Sequence, residues 1–345
     1  MKKSRNKRTV AALVSLLAVA IAVSATLTLL SVYRWDNVAE ESYVYIPRGA
    51  GYAALLDSLG ADGRKLRRVG RFDRIARLNS LDEKVKPGRY RLVPGMSAKQ
   101  IVDMFLSGSQ TPMQLTINNV RTLPQLAGKL GARMEADSTD FAALLLSDSV
   151  ANRYGYTPET FMSMFIPNTY EVWWTATPSE LLDRMKREHD AFWTPERRAG
   201  LVRTGMNKTE AVTLASIVAE ETRMSDEMPV IAGVYMNRLR KGMPLQADPT
   251  VKFALGDFGL RRILYKHLRT DSPYNTYRNK GLPPGPICMP PIAAIDAVLN
   301  YAEHDYVYFC AKEDFSGYHS FASTYGEHKR NARRWAAALD RRGIK

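Results

Sequence analysis

The sequence predicts an α+β protein that is held to a membrane by one N-terminal helix. Three observations support this fold class: an uncharged apolar run near the N-terminus, a strand–turn–helix pattern that recurs after it, and a long helical stretch followed by Pro/Gly-rich loops with short strands. With 345 residues, the chain has room for a core and at least one accessory lobe.

The first predicted element is the apolar run Val10–Val32, which contains no charged residue. Its 23 residues suffice to cross a bilayer core of about 30 Å. The five positive charges in residues 1–9 should stay in the cytoplasm, so that everything after the span lies outside. We therefore predict a basic tail at 1–9 and a transmembrane helix at 10–33. The alternative is a cleavable signal peptide that is cut after Ala25.

The charge balance and the two cysteines narrow the class of partner and the compartment. The formal net charge is +14, which leaves +9 outside the basic tail. Such a surplus suits nucleic acid, an acidic polymer or a membrane surface. No zinc knuckle, RNA-binding fingerprint or second basic tail occurs, so we predict no nucleic-acid partner. Cys288 and Cys310 would face an oxidising compartment, where a disulfide and a pair of buried free thiols both remain open.

A strand, a turn and a short helix recur after the anchor, at spacings too irregular for a solenoid. Ser97 is predicted to cap the second of these helices. We take residues 40–117 as a small βα module, which is either a polymer-binding module or a plain structural lobe. The predicted copies are Tyr43–Ile46 with Ala53–Leu59, Tyr90–Val93 with Ala98–Leu106, and a weaker copy at Gln114–Ile117 with Leu123–Leu130.

The remaining elements are mainly helical, and strands return near the C-terminus. A turn at Phe165–Tyr170 is predicted to lead into a strand at Val172–Trp174. From Gly242 onward, Pro/Gly loops with short strands such as Tyr306–Phe309 dominate. The predicted helical stretches are 120–206 (including a helix from Ser179 to Phe192), 208–240, and the basic amphipathic end from Tyr325 to Arg342.

The segment 214–223 places a carboxylate on an apolar helix face. At about 100° per residue, the buried face consists of Leu214, Ile217 and Val218, with Ala211 and Ala215 at its edge. Glu221 projects into the middle of that face, while Glu220 is turned away from it toward Thr213 and Ser216 and is predicted to be a solvated surface residue. Burial raises the pKa of a carboxyl group, and a general acid must be protonated near neutral pH. Glu221 is therefore the catalytic candidate; the alternative is a buried ion pair with Arg238.

Three polar, turn-rich loops follow this helix: Pro244–Thr250, Ser272–Tyr277 and Gly281–Ile287. Their amides, hydroxyls and aromatic rings suit a sugar, whose hydroxyls need hydrogen-bond partners and whose faces stack on rings. The sequence contains no P-loop, GxGxxG, HExxH or GxSxG motif, and its histidines are not spaced as ligand pairs. We predict neither a metal nor a cofactor.

Taken together, these segments resemble the endolytic murein transglycosylases, the MltG/YceG-like family. The resemblance runs from about Tyr43 to the C-terminus and is strongest over 214–325. The segments that carry it are LASIVAEET, GVYMNRLRKGMPLQADPTV, SPYNTYRNKGLPPGPI, YVYFCAK and Tyr318-His319-Ser320-Phe321, with IPNTY at 166–170 upstream.

The resemblance implies a bacterial inner-membrane protein with one span, whose catalytic domain lies on the periplasmic side. It implies a LysM-like lobe at 40–117 and a catalytic region at 118–345 with its core at 207–345. The family's catalytic glutamate maps to Glu221. Many relatives carry another glutamate two positions earlier, where this chain has Ala219. The family's His-Thr-Phe segment is His-Ser-Phe here, which keeps a hydroxyl, and the resemblance implies a role for His319.

The resemblance also implies a reaction: Glu221 would cleave the bond between N-acetylmuramic acid and N-acetylglucosamine of nascent glycan strands and leave a 1,6-anhydro end. Such cleavage would end strand elongation. The expected partners are peptidoglycan and the membrane, with peptidoglycan synthases left open. Two alternatives remain: a glycan hydrolase that uses Asp248 as its second carboxylate, and a non-catalytic peptidoglycan-binding scaffold. The residues expected to bind the sugar or stabilise charge are Gln246, Asp248, Tyr274, Asn275, Tyr277 and His319.

Overall fold

The computed structural model describes residues 2–60, 65–260 and 262–343. It divides into two compact units, of which unit 1 is Met1–Gln114 with Glu171–Ala176 and unit 2 is Leu115–Tyr170 with Thr177–Lys345. Both units contain helices and strands, so the predicted α+β class is confirmed. Met1 of the predicted tail and the last two residues of the predicted catalytic region lie outside the described residues.

Unit 1 begins with helix α1, Lys2–Tyr33. Its segment Thr9–Tyr33 spans 25 residues with a mean hydropathy of 2.5, and none of this segment's apolar window is buried in the protein. Within the described chain it is the one helix that is long and apolar enough to cross a membrane. The finding rests on length and composition, which a cleavable signal sequence near the N-terminus also satisfies.

The rest of unit 1 is a two-stranded sheet with helices packed on it. The elements are β1 (Ser42–Ile46), α2 (Tyr52–Gly60), α3 (Val69–Leu78), β2 (Gly88–Leu92) and α4 (Ala98–Ser107). Strands β1 and β2 run antiparallel with Val44 opposite Tyr90, and both side chains are buried. Ser97 caps α4 as predicted. The sequence analysis did not predict α3. The strands of the first two predicted strand–turn–helix copies pair in one sheet, and two helices, α2 and α3, lie between them in the chain.

Strands β3 (Met113–Ile117) and β4 (Asn168–Val172) form a second two-stranded sheet. The strand predicted at Val172–Trp174 is wrong, because pairing ends at Val172. In unit 1, the ring of Trp174 instead packs edge-on against Tyr45, with 5.1 Å between the ring centroids. The aromatic composition of this segment reflects that packing and not strand pairing.

Unit 2 is built mainly from helices, and near its C-terminus it contains a hairpin that a long helix follows, as predicted. Its elements are α5 (Leu123–Gly131), α6 (Ser138–Leu145), α7 (Asp148–Arg153), α8 (Pro178–Phe192), α9 (Pro195–Thr204), α10 (Lys208–Glu221), α11 (Met228–Arg240), α12 (Asp248–Leu255), α13 (Ile292–Leu299), β5 (Tyr308–Ala311), β6 (His319–Ala322) and α14 (Tyr325–Arg341). Helix α10 packs against both α11 and α13 and forms the centre of the core.

Both cysteines of unit 2 are free thiols. Cys288 is buried, and its Sγ donates to the carbonyl oxygen of Ser216 at 3.6 Å. Cys310 is partly exposed in β5, directly opposite Ser320 of β6. The sequence left open a disulfide or two free thiols, and the structure has two free thiols.

Candidate active site

Glu221 is the last residue of helix α10, most of which is buried. Asn207 caps the helix in a capping box with Glu210. All residues from 211 to 218 are buried, including Thr213 and Ser216. The side of the helix that carries Thr213 and Ser216 is therefore buried as well. The loop that follows α12 covers this face, and the backbone N–H of Ile287 donates to Ser216 Oγ at 3.0 Å.

The carboxyl group of Glu221 sits where α10 ends, in partly buried surroundings. Its Oε1 accepts a hydrogen bond of 2.7 Å from the hydroxyl of Tyr235 on α11. Burial raises the pKa of Glu221 to about 7, and the Tyr235 hydrogen bond opposes this rise. The negative charge of Asp248 raises the pKa further, while the positive charge of Arg238 lowers it. A large fraction of Glu221 is thus protonated near neutral pH.

Glu220 has a different environment from its neighbour. It lies at the surface, as predicted, and its Oε2 is 2.9 Å from a guanidinium nitrogen of Arg121. Because helix residues next to each other point about 100° apart, the carboxylate of Glu220 lies at the surface and is paired, while that of Glu221 is partly buried. Only Glu221 has the environment of a general acid.

Arg238 holds a loop and does not neutralise Glu221. Its Nε donates to the carbonyl oxygen of Val307 at 2.6 Å, and another guanidinium nitrogen donates to that of Leu245 at 2.7 Å. The same nitrogen reaches Gln246 Oε1 at 3.4 Å. No ion pair between Arg238 and Glu221 occurs in the parts of the chain that the structure describes. The alternative of a buried Glu–Arg pair is therefore excluded.

Asp248 lies close enough to Glu221 to raise the pKa of that carboxyl group, and Tyr277 contacts Asp248. The hydroxyl of Tyr277 donates to Asp248 Oδ1 at 2.6 Å. The predicted loop at Pro244–Thr250 is wrong at its end, because Asp248 is the first residue of α12. Pro249 follows at the start of that helix, where its missing N–H and fixed φ are favourable.

The loops before α12 and before Tyr277 are tied together at Thr276. Its Oγ1 accepts from the backbone N–H of Ala247 at 3.0 Å and lies 2.8 Å from Thr250 Oγ1. The backbone N–H of Gln246 donates to the carbonyl oxygen of Thr276 at 3.1 Å. Gln246 has φ of +52°, which a residue with a side chain seldom adopts, and its side chain is exposed. Strain of this kind often accompanies a functional position.

Within the described part of the chain, neither Asn275 nor Tyr274 contacts Glu221. Asn275 is 0% exposed, and its side-chain N–H groups donate to the carbonyl oxygens of Leu268 and Thr270 at 3.0 and 2.8 Å. Its Oδ1 accepts from the backbone N–H of Tyr277, so its hydrogen bonds are used within the loop. The ring of Tyr274 packs against Phe253 with 4.7 Å between centroids.

His319 opens strand β6 and is fixed by an acidic residue that sequence reasoning missed. Its Nδ1 is 2.8 Å from Glu227 Oε2, and its backbone N–H donates to Glu227 Oε1 at 2.6 Å. Glu227 is only 4% exposed. The imidazole ring packs edge-on against Phe309, which packs edge-on against Tyr235. One ring, that of Phe309, therefore connects His319 with Tyr235, the partner of Glu221.

Tyr235 is the most important residue that sequence reasoning missed. It lies one helical turn after Ile231 on the buried face of α11, and a buried tyrosine hydroxyl needs a hydrogen-bond partner. That rule was the available signal, but it does not name the partner. Among residues 2–60, 65–260 and 262–343, no group of three or more His, Cys, Asp or Glu side chains is arranged to hold a metal ion.

Comparisons with known proteins place this geometry in a context. A family model described as the YceG-like family matches residues 44–334. The endolytic murein transglycosylase of Bacillus subtilis (strain 168) is 30% identical over 258 residues, which cover 70% of this chain and 71% of the relative. The enzyme of the same name from Streptococcus pneumoniae serotype 2 (strain D39) is 28% identical over 283 residues, and the match spans 72% of this chain but only half of that relative's length. A crystal structure of a yceG-like protein from Listeria monocytogenes matches with a TM-score of 0.56 and 29% identity, over 84% of this chain and 98% of that one.

Proposed function

The chain belongs to the YceG-like family, and on that premise we propose that it cuts peptidoglycan glycan strands internally, with Glu221 as general acid and then base. Its curated relatives are murein transglycosylases, so the predicted family and the predicted class of lyase are confirmed. The single observation that supports the catalytic assignment is the partly buried carboxyl group of Glu221, held by Tyr235, with a pKa raised to about 7.

The proposed reaction needs one titrating carboxyl group. Protonated Glu221 gives its proton to the oxygen that joins N-acetylmuramic acid to N-acetylglucosamine, and that bond breaks. The muramic acid C1 becomes oxocarbenium-like. Glu221, now a carboxylate, takes the proton of the C6 hydroxyl as its oxygen bonds to C1. The product carries a 1,6-anhydro end, no water is consumed, and the enzyme regains its starting protonation state.

Tyr235 is proposed as the positioning residue of this carboxyl group. Its hydroxyl donates to one oxygen of Glu221, which leaves the other oxygen to face the sugar. The bond is stronger to the carboxylate than to the neutral acid. Tyr235 therefore stabilises Glu221 after the first proton transfer without preventing its protonation beforehand.

The other site residues are proposed to hold the sugar or the loops around it. Gln246, which contacts Arg238, and Tyr277, which contacts Asp248, are proposed to bind the sugar, and Asp248 is proposed to supply negative charge near the developing cation. Asn275 acts through the loop that carries Tyr277, because its own amide is occupied. Tyr274 is proposed to contact the sugar at the edge of the site. His319, which Glu227 orients, is proposed to bind the sugar as well.

We propose a single-span inner-membrane location, with unit 2 on the periplasmic side. The basic tail and the apolar helix support this proposal. We also propose that the βα module at 40–117 is LysM-like and binds glycan. A role in ending strand elongation, and contact with peptidoglycan synthases, would follow from cleavage close to the membrane.

A hydrolase remains the second candidate, because Asp248 is a carboxylate whose charge reaches Glu221. The two reactions differ in the mass of their products. We expect that the full chain in detergent releases ends from un-crosslinked glycan that are one water lighter than reducing ends, as measured by mass spectrometry. Release of reducing ends alone would contradict the lytic mechanism.

The scaffold alternative is tested by Glu221→Gln, which keeps the size of the side chain and can still accept from Tyr235. We expect a loss of about 10²–10⁴ in cleavage rate with glycan binding retained. Glu220→Gln is the matched control and should keep its rate, because that carboxylate is solvated. Equal cleavage by wild type and Glu221→Gln would contradict the assignment of Glu221.

A further inference from the structure

A cavity of about 680 Å³ lies within unit 1, between the last turns of α1 and the beginning of α3. One wall runs from Ala20 in α1 to Trp35 just after that helix and is mostly apolar. The other wall carries Arg68, which immediately precedes α3, with Arg71 and Arg74 of α3; we call these the three arginines. The cavity thus joins an apolar wall to a cationic one, and the catalytic proposal makes no use of it.

The three arginines have no acidic partner in the described parts of unit 1. They follow each other at intervals of three residues, and all three line the same cavity. The acidic residue of that helix, Asp73, is engaged by Arg77 at 3.0 Å. The neighbouring Arg67 pairs with Asp36 at 3.4 Å. Like charges that are gathered without a counter-charge favour binding of an anion.

The position along α1 indicates where that anion comes from. Tyr33 and Trp35 close the apolar helix and are 55% and 45% exposed. Aromatic rings of this kind concentrate at the membrane–water interface. The guanidinium carbon of Arg71 lies 5.5 Å from the centre of the Trp35 ring, so the cationic wall reaches the headgroup level. A positive side chain beside a membrane-spanning helix is costly unless an anionic group neutralises it.

We propose that this cavity binds an anionic membrane lipid, with the lipid phosphate on the three arginines and an acyl chain along the apolar wall of α1. Guanidinium groups bind phosphate oxygens through paired, charge-assisted hydrogen bonds. Val23 and Leu27 supply the apolar surface that an acyl chain would cover. A bound lipid would hold unit 1 at the membrane surface, whichever side of the membrane the unit occupies.

The first test compares two lipids on the full chain in a neutral detergent. Native mass spectrometry should detect retention of one phosphatidylglycerol at least about tenfold more strongly than phosphatidylcholine with the same acyl chains. Equal retention of both lipids would overturn the proposal without any variant being made. Inorganic phosphate at the same concentration should not displace the lipid. Full displacement would indicate a site for free phosphate and would also overturn it.

The second test removes the cationic wall. The triple variant Arg68→Gln, Arg71→Gln and Arg74→Gln should lose at least about tenfold in phosphatidylglycerol retention. The matched control is Arg153→Gln, Arg187→Gln and Arg198→Gln, which removes the same charge from exposed arginines of unit 2. The control should retain the lipid like wild type. A similar loss in both triple variants would mean a general charge effect and would refute the assigned site.

Discussion

At the scale of single residues, Glu221 is under two opposing influences. Burial favours its neutral form, and the hydroxyl of Tyr235 favours its ionised form. The result is a pKa of about 7, at which both forms are populated near neutral pH. A group that must first give and then accept a proton works best under that condition. Glu220, one position earlier, lacks the burial and is paired with Arg121.

The first prediction concerns the pH dependence of cleavage. The acid form of Glu221 is lost as the pH rises through about 7, so kcat/KM should fall about tenfold per pH unit above that value. Asp248→Asn removes a charge that raises this pKa, so the fall should begin at a lower pH. Steady-state rates between about pH 5 and pH 9 measure the position of this limb.

Tyr235→Phe supplies the opposite control for that prediction. The variant loses the donor that stabilises the carboxylate, so the pKa of Glu221 should rise and the limb should move to higher pH. A movement in the same direction for both variants, or no limb at all, would contradict the assignment of this carboxyl group.

The second prediction links the same pKa to stability. The folded-state pKa of Glu221 lies above its ordinary value of 4.5, so its contribution to the free energy of unfolding is present below about pH 4.5 and is lost as the pH rises through about 7. Glu221→Gln avoids this loss and should be more stable than wild type at pH 8 by about 1–3 kcal/mol. The advantage should vanish near pH 4, as measured by denaturant unfolding.

Glu220→Gln is again the control for stability. It breaks an exposed ion pair with Arg121, so it should change stability by less than about 1 kcal/mol and should not gain at high pH. A similar gain in both variants would show that burial of Glu221 is not the cause.

At the scale of elements, helix α11 is held close to the chain that follows α13. A Cβ atom on Gly233 would lie 2.3 Å from the carbonyl oxygen of Ala302, and the N–H of Ala302 donates to the carbonyl oxygen of Pro229. This close approach requires a glycine in the interior of the helix. It also fixes the position of α11, the helix that carries Tyr235 and Arg238. The hydrogen bond from Tyr235 to Glu221 and the hydrogen bond from Arg238 to Leu245 both depend on that position.

The third prediction follows from that close approach. Gly233→Ala should lower the free energy of unfolding by about 1–3 kcal/mol through overpacking, although alanine is the better helix former. Gly128→Ala in α5 is the matched control, since a Cβ there meets nothing within 4 Å. The control should raise stability by up to about 1 kcal/mol. Equal effects of the two variants in thermal unfolding would contradict the packing argument.

At the scale of the whole molecule, charge and hydropathy are unevenly distributed along the chain. Five of the positive charges precede the apolar segment Thr9–Tyr33 of α1, and the remaining surplus of +9 follows it. The proposed orientation rests on the positive-inside bias of the short basic tail, because long translocated segments are largely insensitive to charge. In that proposed orientation, the surplus that follows would face an acidic polymer outside the membrane.

The fourth prediction tests this orientation. In a chain with Cys288→Ser and Cys310→Ser, the added change Ser225→Cys places one exposed thiol in unit 2. A membrane-impermeant maleimide that is added to cells with intact inner membranes should label this thiol from the periplasmic side. Labelling that requires disruption of the inner membrane would reverse the orientation. The parent chain without Ser225→Cys should remain unlabelled.

Most of the secondary structure could be predicted from the sequence, because local patterns determine it. The strands at Tyr43–Ile46 and Tyr90–Val93 and the cap at Ser97 follow from alternation and turn chemistry, and the structure contains them. The failures are also local in origin. Val172–Trp174 has strand composition but packs its rings after the strand ends, and Asp248 lies in a turn-rich segment yet begins a helix.

The sequence by itself determined the apolar helix, the family and the choice of Glu221, since each depends on composition, order or helical periodicity within one segment. The tertiary structure alone decided that Tyr235 donates to Glu221, that Arg238 binds a loop instead, and that Asn275 is enclosed. These contacts join residues that are distant in sequence or lie on different elements. Their energies depend on distance and burial in space, which no pattern along the chain encodes.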